Sequence, residues 1–282
     1  MKTSLRIFIA GLALLLLGSL PALAAGTDDA SAMFKGLKGN LDISGGTAHI
    51  PVMKAAAQSI MAVNPEIRIT VAGGGSGVGV QQVGEGLVQI GNTGRALKDS
   101  EIEKYGLKTF AFAIDGVAIV VNPANPVSEL GKDQLKKIFA GEIRNWKEVG
   151  GKDAPIILYV REDGSGTRET FEERALDKGQ ASDKSNVVNS NGAMKTAIGQ
   201  DGNAIGYVGI GHLDATLKGV VLDGMVPSQE NAKNGSYQVT RLLYMNTKGE
   251  PQGLTKAFIS YIYSPAGSEF ISGAGYLPTG AF

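Results

Sequence analysis

The 282-residue chain contains no cysteine. That absence removes disulfides, thiolate metal sites, cysteine nucleophiles and a lipidated N-terminal cysteine together. Histidine is nearly absent as well: His49 and His212 are the only two. Neither stands at metal spacing from a carboxylate or a second histidine, there is no H-E-x-x-H, and no G-x-S-x-G elbow surrounds Ser76 or Ser165, so zinc and serine-hydrolase chemistry lack their parts. Both histidines read as surface or loop residues. Net charge is absent too, with 27 basic against 27 acidic residues. A chain without a basic excess does not advertise a nucleic-acid face.

Long apolar runs are confined to the N-terminus. Lys2 and Arg6 precede the apolar stretch Ile7 to Leu20, and Pro21-Ala22-Leu23-Ala24 forms a small-residue cleavage site. Residues 1–24 therefore read as a signal peptide, and the mature chain as exported, soluble and freely diffusing in a bacterial periplasm. No later stretch approaches the ~18 uninterrupted apolar residues of a membrane span. Without Lys2 and Arg6 the net charge becomes about −2, so any anion site must work through local dipoles and a few arginines.

What the chain has in quantity is glycine, 40 residues of it, clustered in short loops. After a polar segment at 25–40 that reads as a mobile leader, strand, glycine turn and helix recur. Leu41 to Ile43 leads through Ser44-Gly45-Gly46-Thr47 into a helix over Ile50 to Val63, and a strand over Ile67 to Val71 leads through Gly73 to Gly79 into another. Leu87 to Ile90 reads as a third strand, followed by Gly91-Asn92-Thr93-Gly94-Arg95 and a helix over Lys98 to Lys104. FAFAIDGVAIVV, Phe110 to Val121, is a strand region buried on both faces. Helical pieces follow at Gln134 to Phe139 and Glu142 to Lys147, with Trp146 as a packing anchor. Later come a helix near Met194 to Ile198, strands at Ala204 to Val208, Gly219 to Leu222 and Val239 to Met245, and a closing helix over Gly253 to Tyr263. Such alternation gives parallel α/β layers.

The stretch YVREDGSGTRETFEE, Tyr159 to Glu173, is central. A strand ends in Arg161, a small-residue loop carries Ser165 and Thr167, and a helix starts near Arg168. Unpaired N–H groups and the positive dipole end make a helix start a natural anion site, and a guanidinium supplies a planar fork of donors. Arg161 and Arg168 could equally pair with Glu162, Asp163 and Glu172. Four donor-rich loops follow strands, and open α/β sheets gather such loops at the carboxyl ends of their strands. Nucleotide motifs do not fit: Val78 stands where G-x-G-x-x-G needs glycine, and no Lys-Ser/Thr follows as a P-loop requires.

These residues resemble the periplasmic phosphate-binding proteins of ABC phosphate importers, the PstS-like solute-binding proteins. The likeness runs through ITVAGGGSGVGVQQV from Ile69, IGNTGRALKDSE from Ile90, AIDGVAIVVNPANPV from Ala113, and LKKIFAGEIRNWKEVGGKDAPIILYVREDGSGTRETFEE from Leu135. It implies an α/β, type II periplasmic-binding-protein fold whose two lobes, joined by two crossing hinge strands, close on a buried anion. Lobe I would hold 41–115 and 240–282, and lobe II 116–239. The implied phosphate-binding positions are Thr47, Ala48, Ser76, Thr93 and Arg95 from lobe I, with Arg161, Ser165, Gly166 and Thr167 from lobe II. The implied function is capture of inorganic phosphate and delivery to ABC permease subunits by a monomer, without catalysis, metal or cofactor. A receptor or sensor for another oxyanion, and an exported phosphate-ester hydrolase, are the alternatives. Two departures stand out: Ala48 replaces a larger apolar residue, and Gly94 stands where the best-studied members carry an aspartate that accepts the proton of hydrogen phosphate and rejects sulfate. Asp115 is the candidate substitute acceptor, with Asp163 beside Arg161 as the other, although the resemblance gives the latter position the task of orienting its arginine.

Overall fold

The computed structural model describes residues 30–280. The strands in chain order are Gly39–Gly45 (β1), Ile67–Val71 (β2), Ile90–Thr93 (β3), Leu107–Val121 (β4), Glu129–Leu130 (β5), Ile157–Arg161 (β6), Asn186–Val188 (β7), Ala204–Gly209 (β8), Lys218–Gly219 (β9), Val221–Leu222 (β10), Thr240–Lys248 (β11) and Leu277–Pro278 (β12). The main sheet runs β2-β1-β3-β11-β4-β8-β6-β7. Its outer pairs, β1 with β2 and β3 and β6 with β7 and β8, are parallel, as helical crossovers require.

The two halves meet on β4. Its first part pairs antiparallel with β11, from Leu107↔Lys248 to Gly116↔Thr240, and its second part with β8, from Val117↔Gly209 to Val121↔Ile205. At the changeover the Val117 N–H donates to the Val239 carbonyl at 2.8 Å, so outgoing and returning chain cross side by side. Val117 to Val121 are fully buried, which explains the unbroken apolar run. Apolar side chains divide accordingly. One core draws on residues from Ala30 to Ala113 and from Leu243 to Tyr276; another draws on Val117 to Val239. The fold is thus a two-lobed α/β structure with two crossing strands.

Several local readings need correction. The segment 25–40, expected to be a mobile leader, is packed from Ala30 onward: Ala30 and Phe34 are buried in the first core, the Phe34 ring meets Tyr261 edge-on at 5.5 Å, and Asn64 Nδ2 donates to the Phe34 and Leu37 carbonyls. Ala30, Met33, Phe34 and Leu37 recur at i, i+3, i+4 and i+7, a helical stripe hidden by polar neighbours. The third strand begins at Ile90 and not Leu87, because Gly86 ends the preceding helix in the left-handed region (φ 76°) and the β1 register starts at Ile43↔Ile90. In place of a helix over Glu142 to Lys147 there is one short turn, Trp146–Val149, capped by Asn145. Trp146 is buried and its Nε1 donates to the Asn203 carbonyl. Beyond Gly253–Ile262 lies a further helix, Pro265–Gly273, signalled by Ser264 as N-cap and proline at the first position. The signal-peptide reading of 1–24 falls outside the described residues. Among those described, no helix is long and apolar enough to cross a membrane.

Candidate functional site

Three helix starts converge where the lobes meet. The turn Thr47–His49 runs into Ile50–Val63, Ser76 is the second residue of Gly75–Glu85, and Ser165 caps Gly166–Thr170, which continues as a wider turn over Phe171–Ala175. The narrow cavity they enclose is lined by residues 46–49, Gly75, Ser76, Gly94, Arg161, residues 165–167 and Arg241. Among the described residues no aspartate or glutamate lines it. The first N–H groups of each helix have no carbonyl within their own helix, so the walls carry partial positive charge. Glycine permits the close approach: a Cβ on Gly166 would lie 2.4 Å from Ser76 Oγ. Between the lips, the Gly77 N–H donates to the Gly164 carbonyl at 3.0 Å.

Arg161 is buried at the end of β6. Its Nε and Nη2 donate to Glu162 at 2.9 and 2.8 Å, while Nη1 is buried without a partner among the described residues. The backbone beneath is clamped on both sides, the N–H donating to Tyr207 Oη at 2.9 Å and the carbonyl accepting from Arg168 Nη1 at 3.0 Å. Arg168 also pairs with Asp163 and Glu172, so it staples the loop and does not face the cavity. The second guanidinium comes from Arg241 on β11. Its Nε and Nη2 donate to Asp115 Oδ2 at 3.0 and 2.7 Å, and its Nη1 donates to Thr167 Oγ1 at 2.8 Å. Burial pushes the Asp115 carboxyl up, against the pull of Arg241. Ser76 Oγ accepts from the Gly94 N–H and Ser165 Oγ from the Arg168 N–H. Each of these hydroxyls therefore keeps its proton to donate.

Of the residues expected at an anion site, Thr47, Ala48, Ser76, Arg161, Ser165, Gly166 and Thr167 line this cavity; Thr93, Arg95 and Asp115 do not. Thr93 Oγ1 donates to the Arg95 carbonyl and accepts from Asn246 Nδ2, a bond internal to lobe I. Arg95 forks onto Glu101, pairs across the lobes with Glu169 at 2.8 Å, and lines a separate groove of about 550 Å³ beside the hinge strands. Asp115 lies behind Arg241 and holds it. Arg241 escaped the sequence reading because it sits inside the strand TRLLYMN; a lone arginine in a strand otherwise destined for burial was the available signal. It also accounts for Gly94, since a Cβ there would meet Arg241 Nη1 at 2.7 Å.

His49 was read as a surface or loop residue and is instead fully buried against the cavity and Phe112. Its Nδ1 donates to the Gly46 carbonyl at 3.1 Å, and burial, aided by the charge of Arg241, lowers its pKa to about 3. His212, mostly buried too, is lowered to about 4 by burial. A depressed histidine pKa means that the unfolded chain binds a proton that the fold refuses. Stability contributed by neutral His49 is thus complete above its ordinary pKa of 6.5 and lost as pH falls toward 3, at a slope approaching ~1.4 kcal/mol per unit. His49→Gln should flatten the urea-midpoint profile between pH 6.5 and 4 relative to the parent. Parallel profiles would assign the acid sensitivity to other groups. Among the described residues, no cluster of three or more His, Asp or Glu could hold a metal ion.

Comparison with known proteins follows the same lines. A PBP superfamily domain matches residues 27–266. The phosphate-binding protein PstS of Bacillus subtilis is 40% identical over 243 residues, spanning 85% of this chain and 81% of that protein. PstS of Pseudomonas aeruginosa is 28% identical over 303 residues, spanning 93% and 94%. Among solved structures, a phosphate ABC transporter substrate-binding protein from Clostridium perfringens with bound phosphate superposes with a TM-score of 0.81 at 35% identity, covering 86% of this chain and all of that one. An ABC-type phosphate transport receptor from Vibrio cholerae gives 0.68 at 34% identity, covering 84% and 99%. With its crossing strands and cavity loops within the matched region, the chain belongs to the PBP superfamily and, within it, to the PstS group of phosphate-binding proteins.

Proposed function

We propose that this protein captures inorganic phosphate in the cavity between lobe I (41–115 with 240–282) and lobe II (116–239), and delivers it to an ABC permease without catalysis. The observation that carries this reading is Arg161 Nη1, a charged donor buried at a donor-lined cavity with no protein acceptor. A buried donor of this kind costs stability unless a ligand supplies the acceptor. Dehydrated phosphate supplies several, and closure strengthens each charge-assisted bond by excluding water. In this reading Thr47, the backbone at Ala48, Ser76, Arg161, Ser165, Gly166 and Thr167 bind the anion, and Arg241 joins them. The relatives named for phosphate binding, and the C. perfringens structure with phosphate bound, support the assignment. The basic, apolar and small-residue pattern of residues 1–24 supports an exported protein of the periplasm.

One observation favours a second reading, a receptor for another oxyanion. Among the described residues no carboxylate lines the cavity, and the guanidinium of Arg241 fills the space beside Gly94. Calorimetric titration with phosphate, sulfate and a phosphate monoester separates the cases. The proposal expects one phosphate per chain and preference over sulfate. Tighter sulfate binding would transfer the site to another oxyanion, and turnover of the ester would make the protein a hydrolase.

A further inference from the structure

We propose that Asn191 is a positioning residue that makes the Thr47 hydroxyl an obligate donor to the bound anion, and that it does so only when the lobes are shut. The inference rests on the phosphate-binding reading and specifies how closure is coupled to it. Thr47 lines the cavity from lobe I; Asn191, fully buried, opens the helix Asn191–Gln200 of lobe II. Thr47 Oγ1 accepts two hydrogen bonds from that one residue, from Asn191 Nδ2 at 3.1 Å and from the Asn191 backbone N–H at 3.3 Å. The orientation of the amide is fixed independently. Asn191 Oδ1 accepts from the Gly209 N–H at 3.1 Å, and a backbone N–H can only donate, so Nδ2 must face Thr47.

A hydroxyl has one proton and two lone pairs. With both lone pairs occupied by Asn191, the Thr47 proton can only leave in the remaining direction as a donor. Thr47 also stands at the first residue of its turn, where no preceding helical carbonyl is available to take the proton. Ser76, Ser165 and Thr167 each accept one protein hydrogen bond, but the Ser76 and Ser165 bonds come from their own lobes. Thr47 differs because its second-lobe partner fills both acceptor positions. When the lobes part, the two bonds break and the hydroxyl regains the freedom to accept from water. Closure thereby converts an indifferent group into a donor matched to an acceptor-rich ligand, and Asn191 performs the conversion without touching that ligand.

The test is a double-mutant cycle in phosphate affinity, by calorimetry, on the full mature chain. Asn191→Asp keeps the shape and the acceptor for Gly209 but replaces the Nδ2 donor with an acceptor, which turns the Thr47 proton away from the cavity. Its added charge weakens anion binding in any background, so the decisive quantity is the difference between backgrounds. Asn191→Asp should weaken phosphate binding by about fiftyfold with Thr47 present, and by roughly tenfold less than that in the Thr47→Val background. Asn191→Ala, uncharged, should show the same sign of coupling at about three- to fivefold and serves if the aspartate variant does not fold. Equal fold losses with and without the Thr47 hydroxyl would reduce Asn191 to a structural residue and overturn the inference. A parent protein that binds no phosphate would instead overturn the functional reading on which it stands.

Discussion

Arg161→Ala is expected to cost at least ~2 kcal/mol of phosphate binding, about thirtyfold in Kd, with little loss of fold stability. The asymmetry follows from what each end of the side chain does. Nη1 is the donor with no protein partner, so its removal deletes a charge-assisted bond in a dry cavity and leaves a phosphate oxygen facing a void. The other end is bound to Glu162, whose carboxylate is about a quarter exposed and can recover its hydration from solvent. Arg161→Lys should rescue little, because a single ammonium cannot fork onto Glu162 and still present a donor to the anion. Calorimetry on the two variants, with urea unfolding as the control, reads both halves of the statement. Parent-like affinity in Arg161→Ala would reassign the residue to a structural ion pair with Glu162.

Arg241→Met should act on stability as much as on binding. Asp115 is inaccessible, and Arg241 is its paired cation; removing one partner of a buried pair costs ~3–5 kcal/mol because the other charge stays behind. Loss of Arg241 Nη1 also frees Thr167 and removes a guanidinium from the cavity wall. The pH dependence has a definite sign. Burial already raises the Asp115 pKa, and without Arg241 only a backbone hydrogen bond from Ile210 opposes that rise, so the folded state holds a proton that the unfolded state has released. A raised carboxyl pKa means that stability falls as pH climbs through the window above the ordinary value of 3.8. The deficit of Arg241→Met relative to the parent should accordingly be larger at pH 8 than at pH 5, and adding Asp115→Asn should recover much of it. A pH-independent deficit, with no recovery in the double variant, would mean lost packing and not a stranded charge.

The lobed fold was legible because its signals are local. Apolar runs such as Val117 to Val121, glycine turns after strands, and Ser165 at a helix start each follow from short-range chemistry. Cavity residues contributed by the helix starts, Ser76, Ser165 and Thr167 among them, were legible for the same reason. What the sequence concealed were partners set by topology. Arg95 looked like a cavity residue because it follows a donor-rich loop, but Glu101 and Glu169 capture it from two directions, and one of them belongs to the other lobe. Arg241 lies 126 positions from Asp115 and 74 from Thr167, so no spacing rule could join them. His49 seemed peripheral because it follows the glycine turn Ser44 to Thr47, whereas it is buried beside Phe112 and hydrogen-bonded to the backbone of Thr93 in β3 and Tyr244 in β11. The opening segment was misread for the opposite reason: its stripe at 30, 33, 34 and 37 is short and diluted by polar residues, and only contact with the first core reveals it.

The central claim is that the anion binds between the lobes against Arg161. Its most direct measurement is a crystal structure with arsenate in place of phosphate, located by anomalous scattering from arsenic. The predicted result is one peak within hydrogen-bonding distance of Arg161 Nη1 and the hydroxyls of Ser76, Ser165 and Thr167, with the Gly77 to Gly164 contact between the lips intact. A peak confined to the larger groove lined by Arg95 and Tyr244, with the inter-lobe cavity empty, would contradict the account.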